Sequence, residues 1–223
     1  MKLTVLAATN QEIEHVREYL TERLYLKMHH SIHCLVAGIG ILNTSYALTR
    51  HIFREKPNLI IQAGIGGSFS PLFPAGTVVT IKDDMVADLG VMENEEWRDQ
   101  FDLKLADPDQ VPFVRKKLVN SHQQVMDKLS LCQVSGITVN EVTTSTKRIE
   151  TYISRYCPII ESMEGAALHK VCLEEAIPFI QLRAVSNAVG ERDKKKWNIP
   201  RAIKALNEQV ILLINKIAEH QPS

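Results

Sequence analysis

Two carboxylates, a carboxamide and a glycine-rich segment are the residues of this 223-residue chain with the clearest chemical potential. Met163 and Glu164 stand just before Ala166, Ala167, Val171 and Cys172, small and apolar residues that recur near a helical period. That spacing predicts a helix with Glu164 in its first turn. Beyond Pro178, residues Phe179, Ile180, Leu182, Ala184 and Val185 make an apolar run suited to a strand buried on both faces, with Asn187 at its carboxyl end. Ligands collect at the carboxyl ends of strands in open α/β sheets, so a carboxylate at a helix start and an amide at a strand end can face one pocket. Each residue also has a purely structural reading. Glu164 can complement the helix dipole, worth about 0.3–1 kcal/mol, and Asn187 can be a turn residue. Glu12 lies three positions after Thr9, which is capping-box spacing.

The elements that position these groups alternate along the chain. Leu3 to Ala7 is a short apolar run, followed by polar Thr9 to Glu12 and then Ile13, Val16 and Leu20 at helical spacing: strand, loop, helix. Ile32, Cys34, Leu35 and Val36 lead into Gly38 as a strand would, so the four-residue spacing of His29 and His33 is not that of a metal site on a helix. Gly38-Ile39-Gly40 does not complete a dinucleotide fingerprint and reads as a tight turn before an amphipathic segment from Tyr46 to Phe53. Asn58 to Ala63 is a buried strand that runs into Gly64-Ile65-Gly66-Gly67, read as a loop that either turns sharply or admits a ligand to the backbone. Thr77 to Ile81 is a β-branched strand, and Asp83 and Asp84 after it are expected to be solvated. Residues 91–121 read as a long surface excursion. Helices are expected over 125–131 and 147–156, a strand over 133–139, a polar loop over 190–196, and a final amphipathic helix from Pro200.

Composition narrows the partners. Lys+Arg 26 against Asp+Glu 26 gives no formal net charge, which supplies no electrostatic support for nucleic acid or an acidic membrane and suits a small, weakly charged ligand. The four cysteines lie apart in apolar contexts without metal-site spacing and read as reduced core thiols of a cytoplasmic protein. No stretch approaches the roughly 20 apolar residues of a membrane span.

The motif Met163-Glu164-Gly165-Ala166-Ala167, followed by Pro178-Phe179, an apolar strand and Arg183-Ala184-Val185-Ser186-Asn187, resembles the nucleoside phosphorylase and nucleosidase superfamily, and the similarity extends over most of the chain. Ser186-Asn187-Ala188-Val189-Gly190 and Trp197-Asn198-Ile199-Pro200 are most similar to its futalosine hydrolase family, nucleosidases of an alternative menaquinone pathway. The resemblance implies that Glu12 activates the attacking water, that Gly64, Ile65 and Gly66 line the nucleoside site, and that Glu164 binds the ribose hydroxyls with Met163 beneath the sugar. It also implies that the 83–90 loop skirts the 5′ side, that 91–121 shapes the substrate tail pocket and a subunit contact, and that 140–143 meets the base. Phosphorylases of the superfamily carry a Gly-Asp-Pro type loop with a phosphate-binding Arg, and Ala8-Thr9-Asn10-Gln11 lacks both. Adenine-releasing relatives place an Asp where Asn187 stands; an amide cannot protonate the base, but it can donate to a carbonyl at position 6, which suits hypoxanthine.

These readings together predict one α/β domain over 1–223, a three-layer phosphorylase/hydrolase-like fold with a twisted, mainly parallel central sheet. The expected activity is hydrolysis of the N-glycosidic bond of futalosine without cofactor or metal, by a homodimer or higher homo-oligomer. Methylthioadenosine or S-adenosylhomocysteine hydrolysis, purine nucleoside phosphorolysis, and a catalytically silent nucleoside-binding protein are the alternatives.

Overall fold

A computed structural model describes residues 1–23 and 31–219. The first strand, β1 (Lys2–Ala7), passes through a 3-10 turn at Gln11–Ile13 into α1 (Glu14–Glu22); β2 (Ser31–Val36), α2 (Ile41–Glu55) and β3 (Leu59–Ser68) follow. Next come β4 (Val78–Asp84), the hairpin β5 (Gly90–Glu93) and β6 (Glu96–Asp99), and the short pair β7 (Phe113–Val114) and β8 (Lys117–Val119). The remainder is α3 (Gln123–Met126), β9 (Gln133–Thr138), α4 (Thr146–Tyr156), β10 (Ile160–Ser162), α5 (Gly165–Glu174), β11 (Phe179–Ala188) and α6 (Ile199–Glu219). His29 and His30 lie outside the described residues.

The sheet is large and mainly parallel. Strand β1 pairs in parallel with β2 and β3, and β3 pairs in parallel with β11. From there β11 meets β4 antiparallel, β4 meets β9 and β9 meets β10 in parallel, and β10 returns antiparallel to the far end of β3. The sheet therefore closes a ring through β3, β11, β4, β9 and β10. Strand β3 can serve both parts because Leu59–Gln62 pair with β1 while Gly67 and Ser68 pair with β10. The glycines between, expected as a loop, are strand residues at this bend, where a strand without side chains coils most easily.

Alternation along the strands sorts the core into layers. Leu3, Val5, Ile61, Ala63, Leu182 and Ala184 face α1 and α6, which contribute Val16, Leu206, Val210 and Leu213. On the other face, Leu6, Ile60 and Phe179 pack on Leu48 and Ile52 of α2 and on Leu168 and Cys172 of α5. Val79, Ile81, Val134, Ile160 and Val185 form a separate cluster along the closed strands.

Several sequence expectations need correction. The excursion over 91–121 carries two antiparallel strand pairs rather than an unstructured surface, and its Asp99 is buried against Lys116 and Arg155. The helix expected over 125–131 is the single turn of α3. Cys132 and Cys157 are exposed, so only Cys172 is a core thiol. Asp83 and Asp84 are buried, not solvated, because β4 carries them between β8 and β9. Among the described residues no helix is long and apolar enough to cross a membrane.

Candidate active site

At the carboxyl ends of β1, β3 and β11 lies a cavity of about 340 Å³. Its wall includes Glu12, Ile65, Gly66, Met163, Glu164 and Asn187, so six of the seven residues singled out from sequence come together. Gly64 is the exception. It stands one residue behind the wall, and a Cβ there would lie 2.0 Å from Arg183 Nη1. Its role in the structure is to make room for that guanidinium.

Glu12 is held from two sides. The Thr9 N–H and hydroxyl donate to Oε2 at 2.9 and 3.1 Å, and the Ile65 N–H donates to Oε1 at 3.1 Å. The Thr9 contacts keep the spacing of a capping box, but the N-cap residue of the turn is Asn10, without a side-chain cap. The Ile65 contact ties the carboxylate to β3, across the cavity mouth, which local capping does not require. Buried but on the cavity wall, Glu12 is a fixed acceptor positioned to hold a polar ligand atom or a water.

Glu164 is the N-cap residue of α5 rather than a member of its first turn, and its carbonyl accepts the Ala167 and Leu168 N–H groups. Its side chain does not cap the helix. Oε1 accepts the Gly40 N–H at 3.2 Å, and Oε2 pairs with Arg183 Nη1 at 3.2 Å. Arg183 is 1 % exposed, the largest fully buried side chain among the described residues, and it also reaches Gln62 Oε1 and the Ile65 carbonyl. A buried guanidinium is tolerated only when paired and hydrogen-bonded. Here it fixes the carboxylate from behind and leaves its other side to the cavity.

Arg183 stands in the sequence motif without an assigned role, and Gln181 lies outside the quoted motif residues. A readable signal existed. Gln181 and Arg183 alternate with Leu182 and Ala184 in β11, so a strand buried on both faces carries polar residues on one of them. Beneath them, Asp84 accepts hydrogen bonds from the Met85 N–H, the Thr138 hydroxyl and Gln181 Nε2. Burial outweighs those bonds and lifts its carboxyl to about 6. The 83–90 loop does not reach the cavity wall; its acid supports the floor instead.

At the opposite wall, Ser186 Oγ lies 2.7 Å from Asn187 Oδ1, and Asn187 Nδ2 donates to the Ala188 carbonyl at 2.9 Å. Val142 is the one member of the 140–143 loop on the wall, joined by Trp197, Ile199 and Ile203 from the segment that opens α6. The wall thus combines a few fixed polar groups with apolar side chains, as small-molecule pockets do.

An α/β domain with a cavity at its strand ends, lined by two fixed carboxylates and a carboxamide, has the parts of a small-molecule enzyme. The phosphorylase superfamily model matches residues 2–215, and the chain belongs to that family. It is 31 % identical over 183 residues to the futalosine hydrolase of Streptomyces coelicolor, covering 79 % of this chain and 75 % of that protein. With the 5′-methylthioadenosine/S-adenosylhomocysteine nucleosidase of Bacillus velezensis it shares 25 % over 240 residues, covering 97 % and 100 %. The structure superposes on the corresponding nucleosidase of Neisseria meningitidis, solved in complex with methylthio-immucillin-A, with a TM-score of 0.80 at 18 % identity over 97 % and 99 % of the two chains. Within the superfamily, the chain is an N-glycosyl hydrolase of the nucleosidase kind.

Proposed function

We propose that this protein hydrolyses futalosine in the cytoplasm, releasing hypoxanthine and dehypoxanthine futalosine as a step of the alternative menaquinone pathway, with 1–223 acting as one domain. The observation that carries this reading is the amide at Asn187. The Ser186 hydroxyl has one proton, and the nearer acceptor is Asn187 Oδ1. With one Oδ1 lone pair so engaged, and one Nδ2 proton on the Ala188 carbonyl, the second Nδ2 proton is available to a ligand acceptor. A purine with a carbonyl at position 6 offers acceptors at O6 and N7. Adenine shares the N7 acceptor but sets an amino donor at position 6 against the amide donor, a mismatch of about 1–3 kcal/mol when buried.

The remaining roles follow from the wall. Glu12 takes a proton from a water as its oxygen attacks C1′, and the N-glycosidic bond breaks with its electron pair passing to the base, which gains a proton on release. Such a general base contributes about 10²–10⁴ in rate. Glu164 accepts the ribose hydroxyls above Met163 and stabilises the positive charge that develops on the sugar. Ile65 and Gly66 form the wall beside them, and Gly64 acts through Arg183. The apolar side chains of Trp197, Ile199 and Ile203 take the 5′ substituent.

A second copy of the chain completes the assembly. Leu42, Tyr46 and Phe53 project from one side of α2 at 81, 67 and 65 % exposure, while Leu48 and Ile52 face the core. Ile39, just before that helix, is exposed yet also lines the cavity. Covering this stripe would bury apolar surface and close the cavity mouth together.

Hydrolysis of methylthioadenosine is the second reading, favoured by the full-length alignment with the Bacillus velezensis nucleosidase. Incubation of purified protein with futalosine and with methylthioadenosine, each with and without phosphate, separates the two. Hypoxanthine release that is independent of phosphate is expected. Methylthioadenosine cleavage at an equal or higher rate overturns the substrate, and a requirement for phosphate overturns the nucleophile.

A further inference from the structure

Three strands meet at Gly67. It pairs with Glu161 of β10 on one side and with Asn187 of β11 on the other. The Gly67–Asn187 pairing follows a β-bulge between Val185 and Asn187, and two strand spacings put the Cα atoms of Glu161 and Asn187 about 10 Å apart. Glu161 and Asn187 therefore flank a position without a side chain, and all three residues are on the cavity wall. A Cβ on Gly67 would lie 3.0 Å from Val189 Cγ2 and 3.5 Å from Asn187 Nδ2, so the missing side chain lets Val189 and the amide pack close over the strand. A ring the size of a purine, with a hydrogen bond at each edge, spans such a row.

Nothing in the hydrolysis described above uses Glu161. It is 5 % exposed, and its Oε1 accepts the Thr143 N–H at 3.0 Å. Its Oε2 is buried and has no hydrogen-bond partner among the described residues. Buried carboxylate oxygens are ordinarily satisfied, because leaving one bare carries the full cost of its lost hydration. Burial raises the Glu161 carboxyl above its ordinary range, as expected for a group short of donors.

We propose that Glu161 determines base specificity, its Oε2 accepting the N–H at position 1 of a 6-oxopurine while Asn187 Nδ2 donates to the O6 and N7 edge. This rests on the reading of the leaving base as hypoxanthine and supplies the half of its recognition that Asn187 leaves out. Hypoxanthine presents an acceptor at position 6 beside a donor at position 1; adenine presents a donor beside an acceptor. A carboxamide donor paired with a carboxylate acceptor matches the first pattern at both positions and opposes the second at both. Specificity built on two buried polar contacts excludes the wrong base through groups left unpaired.

The test combines futalosine turnover with competition by hypoxanthine, 1-methylhypoxanthine and adenine, in the native protein and in Glu161→Gln. The variant keeps a carbonyl for the Thr143 N–H and turns an NH₂ toward the base. In the native protein, 1-methylhypoxanthine should compete about tenfold or more worse than hypoxanthine, the effect of one buried hydrogen bond. In Glu161→Gln, kcat/KM for futalosine should fall about tenfold or more with an unchanged thermal midpoint, and competition by adenine should strengthen, which a merely structural Glu161 would not produce. Equal competition by hypoxanthine and its 1-methyl form in the native protein overturns the assignment without any variant. So does a folded Glu161→Gln that keeps its turnover and its preference against adenine. A native protein that cleaves methylthioadenosine and not futalosine overturns the substrate reading and this inference together, whereas futalosine cleavage without discrimination at position 1 overturns this inference alone.

Discussion

Asp84 and His169 should oppose one another in the pH dependence of stability, and removing either should expose the other. Asp84 is fully buried, and loss of hydration outweighs its hydrogen bonds to lift its carboxyl from 3.8 to about 6. A raised folded pKa means that the native state holds the proton more tightly. Its stabilising effect is complete below the unfolded value near 3.8 and is lost as the pH rises through about 6, a change of about 3 kcal/mol at 1.36 kcal/mol per unit. His169 is also fully buried, with Nδ1 donating to the Leu118 carbonyl at 2.8 Å, and burial lowers it from 6.5 to about 4. The sign reverses: its stabilising effect is complete above 6.5 and is lost as the pH falls toward about 4, again about 3 kcal/mol. Urea unfolding at pH 4.5 and 7 should therefore find Asp84→Asn losing more stability on acidification than the native protein, by about 1–3 kcal/mol. His169→Asn should change in the opposite direction. Parallel pH profiles for the native protein and Asp84→Asn would refute the argument, because they would mean that Asp84 titrates alike in the folded and unfolded chain.

Glu12→Gln should retain its fold yet lose about 10²–10⁴ of futalosine turnover, read as kcat in a hypoxanthine-release assay; an unchanged kcat would show that another group activates the water. Gly64→Ala should displace Arg183 from Glu164 and crowd Glu12, whose Oε1 lies 3.4 Å from the added Cβ. Disturbing that buried ion pair should cost about 3–5 kcal/mol in chemical denaturation together with most of the turnover, and a stable, active variant would contradict the packing described here. Replacing Leu42 and Tyr46 by Glu should lower the mass found in sedimentation from the proposed oligomer to the monomer and raise KM for futalosine; an unchanged mass refutes the proposed contact at α2.

How much of the site was legible in sequence depended on whether the partners of a residue were local. Met163-Glu164 and Ser186-Asn187 could be placed in one pocket because a helix start and a strand end are set by nearby residues, and the sheet brings such ends together whatever its detailed topology. Asp84 was misread because its burial is decided by Thr138 and Gln181, which lie 54 and 97 residues further on. Glu161 was not singled out, since only the Thr143 loop and the pairing of β10 with β3 bring it to the cavity. The glycines show most clearly where the sequence stops being informative. Gly64, Gly67 and Gly165 are visible as glycines, and each marks a close approach, but what approaches differs at every one. At Gly64 it is the guanidinium of Arg183; at Gly165 it is Asp84 Oδ2 and Gln181 Nε2, 2.1 and 2.3 Å from where a Cβ would stand; at Gly67 it is Val189 Cγ2, 3.0 Å away, beside the Asn187 amide. Two of these vacancies are filled by the chain's own polar groups, which hold the floor of the cavity rigid. The third lies on the cavity wall between Glu161 and Asn187, so the same device that packs Arg183 and Asp84 beneath the site lets Val189 close against the strand beside it.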